Sequence, residues 1–433
     1  MGNKKVWCWR NFFIALAVLA YLAGLIWRFE FIFVHHPLSN YLYSDMQSYS
    51  NEAQRFFSGS QLNASDTLYP PGTSLIFGLV QHLTNGGWVG VEILMFALSA
   101  SVPLLIAACA YKLYGLSVGL LAGRFASLYP AFIVFSGFLL SEIPYIFFQA
   151  LAFLLLLMAL DAVTRRQALW WGLACGLVLG WTAMIRPTIL LATLLLAVVI
   201  VSLKSIKKHA FVWPIVLAVF VGAIPFIIGT SAWCSRLSGQ FCTISSNGPL
   251  NILQGHYDHV GHFNFNDTKN GGVYSFGSPA TLQLGYNDSV TLPWGPYDNR
   301  DNLNLAKTWS FSHPAQALTM SFEHIVGLFV TTPWPPSNTT DRHLIRISEW
   351  LFRIVVLLPV GAYIIWRFIQ RLYRKIKISA KDWLLLAPIL GLFLLTLITY
   401  GDPRYRLSFD MFFIILAARV YESVLKWLKT EHA

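Results

Sequence analysis

The sequence predicts an all-α polytopic membrane protein, a bundle of about ten transmembrane helices with its long loops on one face. Three observations carry this. Of the 433 residues, 56% are hydrophobic and only 12% charged, with a mean hydropathy of +0.56, a balance that a water-exposed surface of this size does not tolerate. The apolar residues fall in runs close to the roughly 20 residues that cross a bilayer. The Lys and Arg residues cluster in short segments between those runs, so the net charge of +11 reports orientation in a membrane and not affinity for nucleic acid.

In chain order the expected spans are residues 12–34, 88–111, 116–136, 142–160, 168–185, 188–203, 210–230, 350–369, 383–400 and 407–424. The first follows Lys4, Lys5 and Arg10 and lacks a small-residue cleavage site, so it reads as a retained span and not a signal peptide. With a cytoplasmic N-terminus, the inner segments collect Lys112, Arg165, Arg166, Lys204, Lys207, Lys208, the basic run at 367–381, Lys426 and Lys429. The positive-inside rule selects this orientation and puts both termini inside. The apolar stretch at 317–334 does not fit as a span, because it would turn the run at 367–381 outward. It is expected to be an interfacial or re-entrant helix on the outer surface.

This map divides the chain into a transmembrane module at 1–230 with a first outer loop at 35–87, an outer loop domain at 231–349, and C-terminal spans at 350–433. Cys234 and Cys242, eight residues apart in the outer domain, suit a disulfide in an oxidising compartment. Cys8, Cys109 and Cys175 fall within or beside spans as packing residues, and no CxxC pair occurs. The sequons at Asn63, Asn266, Asn287 and Asn338 all fall outside. There is no internal repeat. The stretch 245–305, rich in Gly, Asn, Pro and Tyr, reads as an irregular loop domain.

Several charged residues gather on the outer side. Asp45 and Tyr49, at i and i+4, share a face of an amphipathic helix whose Ser44 and Gln47 have capping-box spacing. Ser141 and Glu142 open the fourth span. Arg186 stands at the tip of a hairpin whose first arm, 168–185, rises only about 27 Å, and a charge at that depth implies function. Asp402, Arg404, Tyr405 and Arg406 lie between the last two spans, and Asp410 about one turn inside the last. An arginine fork binds phosphate oxygens through paired hydrogen bonds, so Arg186, Arg404 and Arg406 are candidates for holding a lipid phosphate. Asp402 is expected to hold one of those arginines. Glu92, one turn inside the second span, is either a partner for this cluster or an ordinary interfacial charge. His256, Asp258, His259 and His262 have metal-like spacing but no helix to align them, and read as a solvated loop. No P-loop, nucleophile elbow or HExxH occurs, and no metal or other cofactor is expected.

The acidic first outer loop, "YPPG" at 69–72, "SEIPY" at 141–145, "RPT" at 186–188 and "DPRYRL" at 402–407 together resemble the integral-membrane GT-C glycosyltransferases. The likeness is to the bacterial branch related to protein O-mannosyltransferases and aminoarabinose transferases. It covers most of the first 230 residues and the last 80, not the outer domain. It implies a hexosyl or pentosyl transferase that moves a sugar from a polyprenyl-phosphate carrier to an acceptor hydroxyl on a lipid, glycan or protein, with inversion, on the non-cytoplasmic face. The resemblance places Asp45 in the catalytic centre as base, with Tyr49, Glu142 and Tyr405 orienting substrate. Met46 follows Asp45 where the O-mannosyltransferases carry a second acidic residue, which weakens both a protein acceptor and a metal requirement. The expected site is a bacterial inner membrane with the reaction in the periplasm; the sequons and disulfide keep the endoplasmic reticulum open. An O-antigen ligase or polymerase using a diphosphate donor, and a lipid or solute transporter, are the alternative readings.

Overall fold

The structure, a computed structural model, describes residues 2–203, 211–268, 271–330, 339–375 and 378–431. Lys204, Lys207, Lys208, Lys377 and Asn338 lie outside the described residues, as do the side chains of Lys4, Lys5, Cys8, Arg10 and Lys429. Helices dominate. Among the described residues, six helical stretches are long and apolar enough to cross a membrane: Asn11–His35, Trp88–Tyr114, Glu142–Leu160, Arg165–Ile185, Val212–Ser238 and Arg346–Arg374. Leu116–Leu128 and Pro130–Gly137, bent by 55° at their junction, make a seventh if the pair is one span.

That is fewer than the ten expected, for two physical reasons. The apolar runs at 188–203 and 383–400 form helices of only 14 residues, Ile189–Ser202, and 17 residues, Ala380–Thr396. These rise about 21 and 25 Å, against a hydrocarbon core of roughly 30 Å. The last helix, Asp410–Glu431, is long enough but carries Asp410, Arg419, Glu422 and Lys426 along its length.

The bend at Tyr129 and Pro130 leaves the last carbonyls of Leu116–Leu128 without helical partners. Arg28, buried within the first span, supplies donors: Nη1 to Ser127 O at 2.8 Å and Nη2 to Ala126 O at 3.4 Å, while Nε donates to Ser99 Oγ at 2.8 Å. A cation at a helix C-terminus also meets the negative end of its dipole. Glu92 does not join the outer arginines; its carboxylate accepts from the Leu38 amide at 2.9 Å.

The outer segment folds around its own small core, with Leu250, Leu253, Val260, Phe263, Phe265 and Leu292 buried together. It is more regular than its composition indicates. Strands β1 (Val260–Asp267), β2 (Gly272–Gly277) and β3 (Asp288–Leu292) form a sheet in the order β2-β1-β3, with β2 antiparallel and β3 parallel to β1. In β1, Phe263 and Phe265 point inward while Asn264 and Asn266 face outward, the period of two that marks a strand. Cys234 and Cys242 are disulfide-bonded, tying the end of helix Val212–Ser238 to the chain that enters this unit. Cys109 and Cys175 are buried and free. Asn63, Asn266 and Asn287 are exposed.

Within 317–334 the chain forms helix Pro314–Gly327, about 21 Å long. Ala317, Met320, Ser321 and His324 are buried, and Leu318, Phe322 and Val326 on the other side are exposed, the pattern of a helix lying on an apolar surface.

Candidate functional site

Segments from the first outer loop, the span termini and the outer domain meet around one open cavity of about 630 Å³. Asp45 begins helix Asp45–Ser58. The expected capping box does not form: Ser44 makes no side-chain cap bond, its φ is +52°, and the Gln47 amide bonds Asn51 instead. A non-glycine residue with positive φ carries backbone strain, and Ser44 lines the cavity.

"YPPG" serves this corner in two ways. The Tyr69 hydroxyl donates to Asp45 Oδ1 at 2.9 Å. Gly72 lies so close to the end of helix Arg165–Ile185 that a Cβ there would sit 2.8 Å from Met184 C and O. That approach brings the first outer loop against the turn that carries Arg186.

"SEIPY" and "RPT" are joined directly. Arg186 Nε donates to Ser141 Oγ at 2.8 Å, and its Nη2 lies 2.7 Å from Glu142 Oε1. Thr188 Oγ1 donates to Tyr145 OH at 3.2 Å. Arg186 has left the helix in extended conformation before Pro187, which frees its side chain to turn into the site.

The last segment is held by a cap. Asp402 Oδ1 accepts from the Arg404 amide at 2.8 Å and Oδ2 accepts from Ser278 Oγ at 3.0 Å. Asp402 thus fixes the backbone of Arg404, whose charge also attracts its carboxylate, and ties that segment to the outer domain. Burial raises the Asp402 carboxyl above its usual range, against the pull of Arg404 and these hydrogen bonds. Gly255 permits this docking, since a Cβ there would lie 2.6 Å from Thr399 C and O.

Arg404 links the acidic groups. Its Nη1 lies 3.0 Å from Asp45 Oδ2 and its Nε donates to Glu142 Oε1. Glu142 is fully buried and bridges both arginines, whereas the side chains of Asp45, Arg404 and Arg186 are 23%, 15% and 11% exposed to the cavity side. Tyr405 lies under Arg186, with its ring centroid 6.0 Å from the guanidinium carbon. Tyr49 is buried, its ring 5.2 Å from that of Tyr69, and burial drives its hydroxyl well above the ordinary range.

Arg406 is not part of this site. It is fully buried, pairs with Glu349 at 2.7 Å and Asp410 at 3.1 Å, and stacks 4.5 Å from the Phe352 ring centroid. Residues two apart on a helix project in nearly opposite directions, so Arg404 and Arg406 in the short helix Pro403–Leu407 cannot form one clamp.

Sequence reasoning missed Tyr69, Ser278 and Glu52. Glu52 lies seven residues after Asp45, on the same face as Asp45 and Tyr49, and its Oε2 accepts from Ser74 Oγ at 2.8 Å. Burial, with Asp66 nearby, pushes its carboxyl from 4.5 to about 8. The i, i+4, i+7 spacing was the available signal.

The residues around Asp45 do not suit a divalent cation. The acidic neighbours Asp45 and Glu142 are already bound to arginines, and among the described residues no group of three or more His, Cys, Asp or Glu is placed to hold a metal. His256 Nε2 is 3.1 Å from Ser321 Oγ and His259 Nε2 is 3.5 Å from Glu323, so these two histidines contact a neighbouring helix.

No protein-family model matches the chain, and no curated protein sequence matches it significantly. The fold does have counterparts. The apo Archaeoglobus fulgidus oligosaccharyltransferase superposes with a TM-score of 0.54 at 11% identity, over 96% of this chain and 51% of that one. The same enzyme with zinc and sulfate gives 0.53 at 12% identity, over 94% and 49%. Archaeal AglB from that organism, with an inhibitory peptide and a dolichol-phosphate, gives 0.51 at 13% identity, over 96% and 51%. The chain is therefore a helical, multi-pass membrane protein with a GT-C-type fold, and it spans about half the length of these structures. These archaeal oligosaccharyltransferase structures support the GT-C fold that the motifs implied and lend no support to the bacterial branch within it.

Proposed function

We propose that this protein is a membrane glycosyltransferase that moves a sugar from a polyprenyl-phosphate carrier to an acceptor hydroxyl on the non-cytoplasmic face. The observation that carries the reading is the convergence of one accessible carboxylate, Asp45, with two accessible arginines, Arg186 and Arg404, on a single cavity. The oligosaccharyltransferase fold, and the dolichol-phosphate held by one of its members, support a lipid-linked donor.

In this reading Arg186 and Arg404 bind the donor phosphate and stabilise the charge that grows on it. Asp45 accepts the proton of the acceptor hydroxyl as that oxygen attacks the anomeric carbon. The new C–O bond forms on the face opposite the phosphate, and the bond to phosphate breaks with its electron pair leaving on the phosphate oxygen, which gives inversion. The resting contact of Arg404 with Asp45 has a use here. A carboxylate engaged by both Arg404 and Tyr69 is a weak acceptor, and an arriving phosphate competes for Arg404 and releases Asp45. Glu142 orients both arginines, and Tyr49 and Tyr405 pack against the reacting groups. The division at 1–230, 231–349 and 350–433 then separates a donor module from an acceptor-selecting outer domain. Ten membrane passes, with both termini inside, complete the proposal.

The test is transfer of radiolabelled hexose or pentose from polyprenyl-monophosphate donors in membranes containing wild type or Asp45→Asn at matched expression. Loss of about 10²- to 10⁴-fold in Asp45→Asn is expected for removal of a general base. Equal transfer by both would overturn the assignment of Asp45.

A further inference from the structure

The cavity is built from two chemically different walls. Its charged side chains come from the first outer loop and the span termini: Asp45, Glu52, Arg55, Arg186, Asp402 and Arg404. The wall contributed by residues 245–297 has no charged side chain among its lining residues. It presents three amides, Asn247, Asn251 and Gln254, and three aromatic rings, Tyr274, Phe276 and Tyr297.

The amides lie along one short helix, Asn247–Gly255. Asn247, Asn251 and Gln254 are at i, i+4 and i+7, so all three face the cavity from one side. Asn247 Oδ1 is buried and has no hydrogen-bond partner among the described residues. An unsatisfied buried carbonyl oxygen is costly unless a ligand hydroxyl donates to it. Two of the rings come from β2 and the third from the loop after β3. Tyr274 and Tyr297 stand edge to face at 6.2 Å, and the Tyr297 hydroxyl is already given to Asp267, which leaves the ring as its contribution to the wall.

Side-chain amides both donate and accept, as each hydroxyl of a sugar does. Ring faces pack on the apolar C–H faces of a pyranose. A phosphorylated or acidic acceptor would require cations on this wall, and it has none. We propose that residues 245–297 form a saccharide-binding subsite, and that the acceptor hydroxyl is carried by a neutral sugar and not by a peptide. This rests on the transferase reading of the same cavity, with the acceptor O–H losing its proton to Asp45 as described above. The volume of about 630 Å³ lies mid-range for ligand sites of roughly 300–1,000 Å³, enough for a donor sugar and an acceptor sugar together.

The experiment separates binding from transfer. Full-length protein in lipid nanodiscs is titrated, by saturation-transfer NMR, with mannotriose, maltotriose and chitotriose and with two peptides, one Ser/Thr-rich and one containing Asn-Val-Thr. Binding of at least one trisaccharide is expected in wild type and in Asp45→Asn. It should weaken by about tenfold in Asn251→Ala and Gln254→Ala, each losing a hydrogen bond or two. Circular dichroism and monodisperse size exclusion verify that these variants fold. Peptide binding without trisaccharide binding, or no binding by either class, would overturn the proposal. Trisaccharide binding that persists while no donor supports transfer would sink the transferase reading and leave the sugar subsite standing. Transfer to peptide with no trisaccharide binding would do the reverse.

Discussion

Arg404 and Arg406 are separated by one residue and by just over half a helical turn, and their partners define opposite roles. Arg404 contacts Asp45 and Glu142 beside the cavity; Arg406 is sealed between Glu349 and Asp410. Arg404→Ala should leave the protein folded and reduce sugar transfer by about 10²- to 10³-fold, the scale of losing one donor to developing charge. Arg406→Met strands two buried carboxylates and should cost about 3–5 kcal/mol of stability. Thermal unfolding in detergent, read beside transfer rates, checks both; similar losses of stability in the two variants would contradict the division. Arg186 and Arg404 were legible because each charge stands at the edge of an apolar run, and Asp45 because it shares an amphipathic helical face with Tyr49 in the first outer loop. Arg406 has a similar sequence context, with Asp410 four residues on as a local partner, and the packing of Glu349 and Phe352 from a distant helix completes its burial.

Glu52 gives a residue-scale prediction in pH. Its carboxyl rises from 4.5 to about 8 on folding, so the folded state binds more protons than the unfolded state between those values. Stability therefore falls as pH rises through that window, and the contribution is fully present only below it. Glu52→Gln should flatten this dependence and raise the unfolding temperature above pH 8 relative to wild type. Unfolding temperatures across pH 5–9 test it; an unchanged profile would place the titration elsewhere. The i, i+4, i+7 spacing puts Glu52 on the face of Asp45 and Tyr49, but its burial beside Ser74 and Asp66 depends on other elements arriving there.

At the scale of elements, the outer unit is anchored to the bundle at several points along its chain. The disulfide Cys234–Cys242 is one, and the Ser231 hydroxyl, which donates to Cys242 O at 2.6 Å, reinforces it. Next along the chain, the Ser246 amide donates to Thr67 O at 2.8 Å, placing helix Asn247–Gly255 over the first outer loop. Closing a loop of eight residues is worth about 2.5 kcal/mol in the chain-entropy model. Replacing both cysteines by serine should lower stability by that order, and a reductant should shift the unfolding temperature of wild type but not of the double variant. The cysteine pair was legible from spacing and compartment. The sheet was not, because reading 245–305 by its Gly, Asn and Pro content hid the alternation of Phe263 and Phe265 with Asn264 and Asn266.

For the whole molecule, the site itself constrains how often the chain crosses the membrane. Asp45, Glu142, Arg186, the wall at 245–297 and Arg404 all meet at one cavity, so an even number of crossings separates each from the next. Between Asp45 and Glu142 lie Trp88–Tyr114 and the bent pair, which must then act as one pass. Between Glu142 and Arg186 lie two long helices, Glu142–Leu160 and Arg165–Ile185. Between Arg186 and residue 245 lie the long Val212–Ser238 and the short Ile189–Ser202, so parity requires the short helix to cross as well. The same argument requires Ala380–Thr396 to cross between the outer domain and Arg404. Both short helices pack against each other, and Gly391 lies against Ala192, while Leu194, Val198, Leu390 and Leu394 stay exposed on their outer faces; a span shorter than the hydrocarbon core is accommodated by local thinning of the bilayer or by association with its neighbours. Length and hydropathy count six or seven passes among the described residues, and the ten-pass proposal adds the two short helices and the last one to them. Reporter fusions decide the matter, with green fluorescent protein active inside and alkaline phosphatase active outside. Ten passes place Ala162 and Leu203 inside and Gly239 outside. Seven passes, without the two short helices and the last, would put Leu203 outside and Gly239 inside. Six would put Ala162 outside, and would separate Glu142 from Asp45 by the full membrane, dissolving the site that their shared arginine defines.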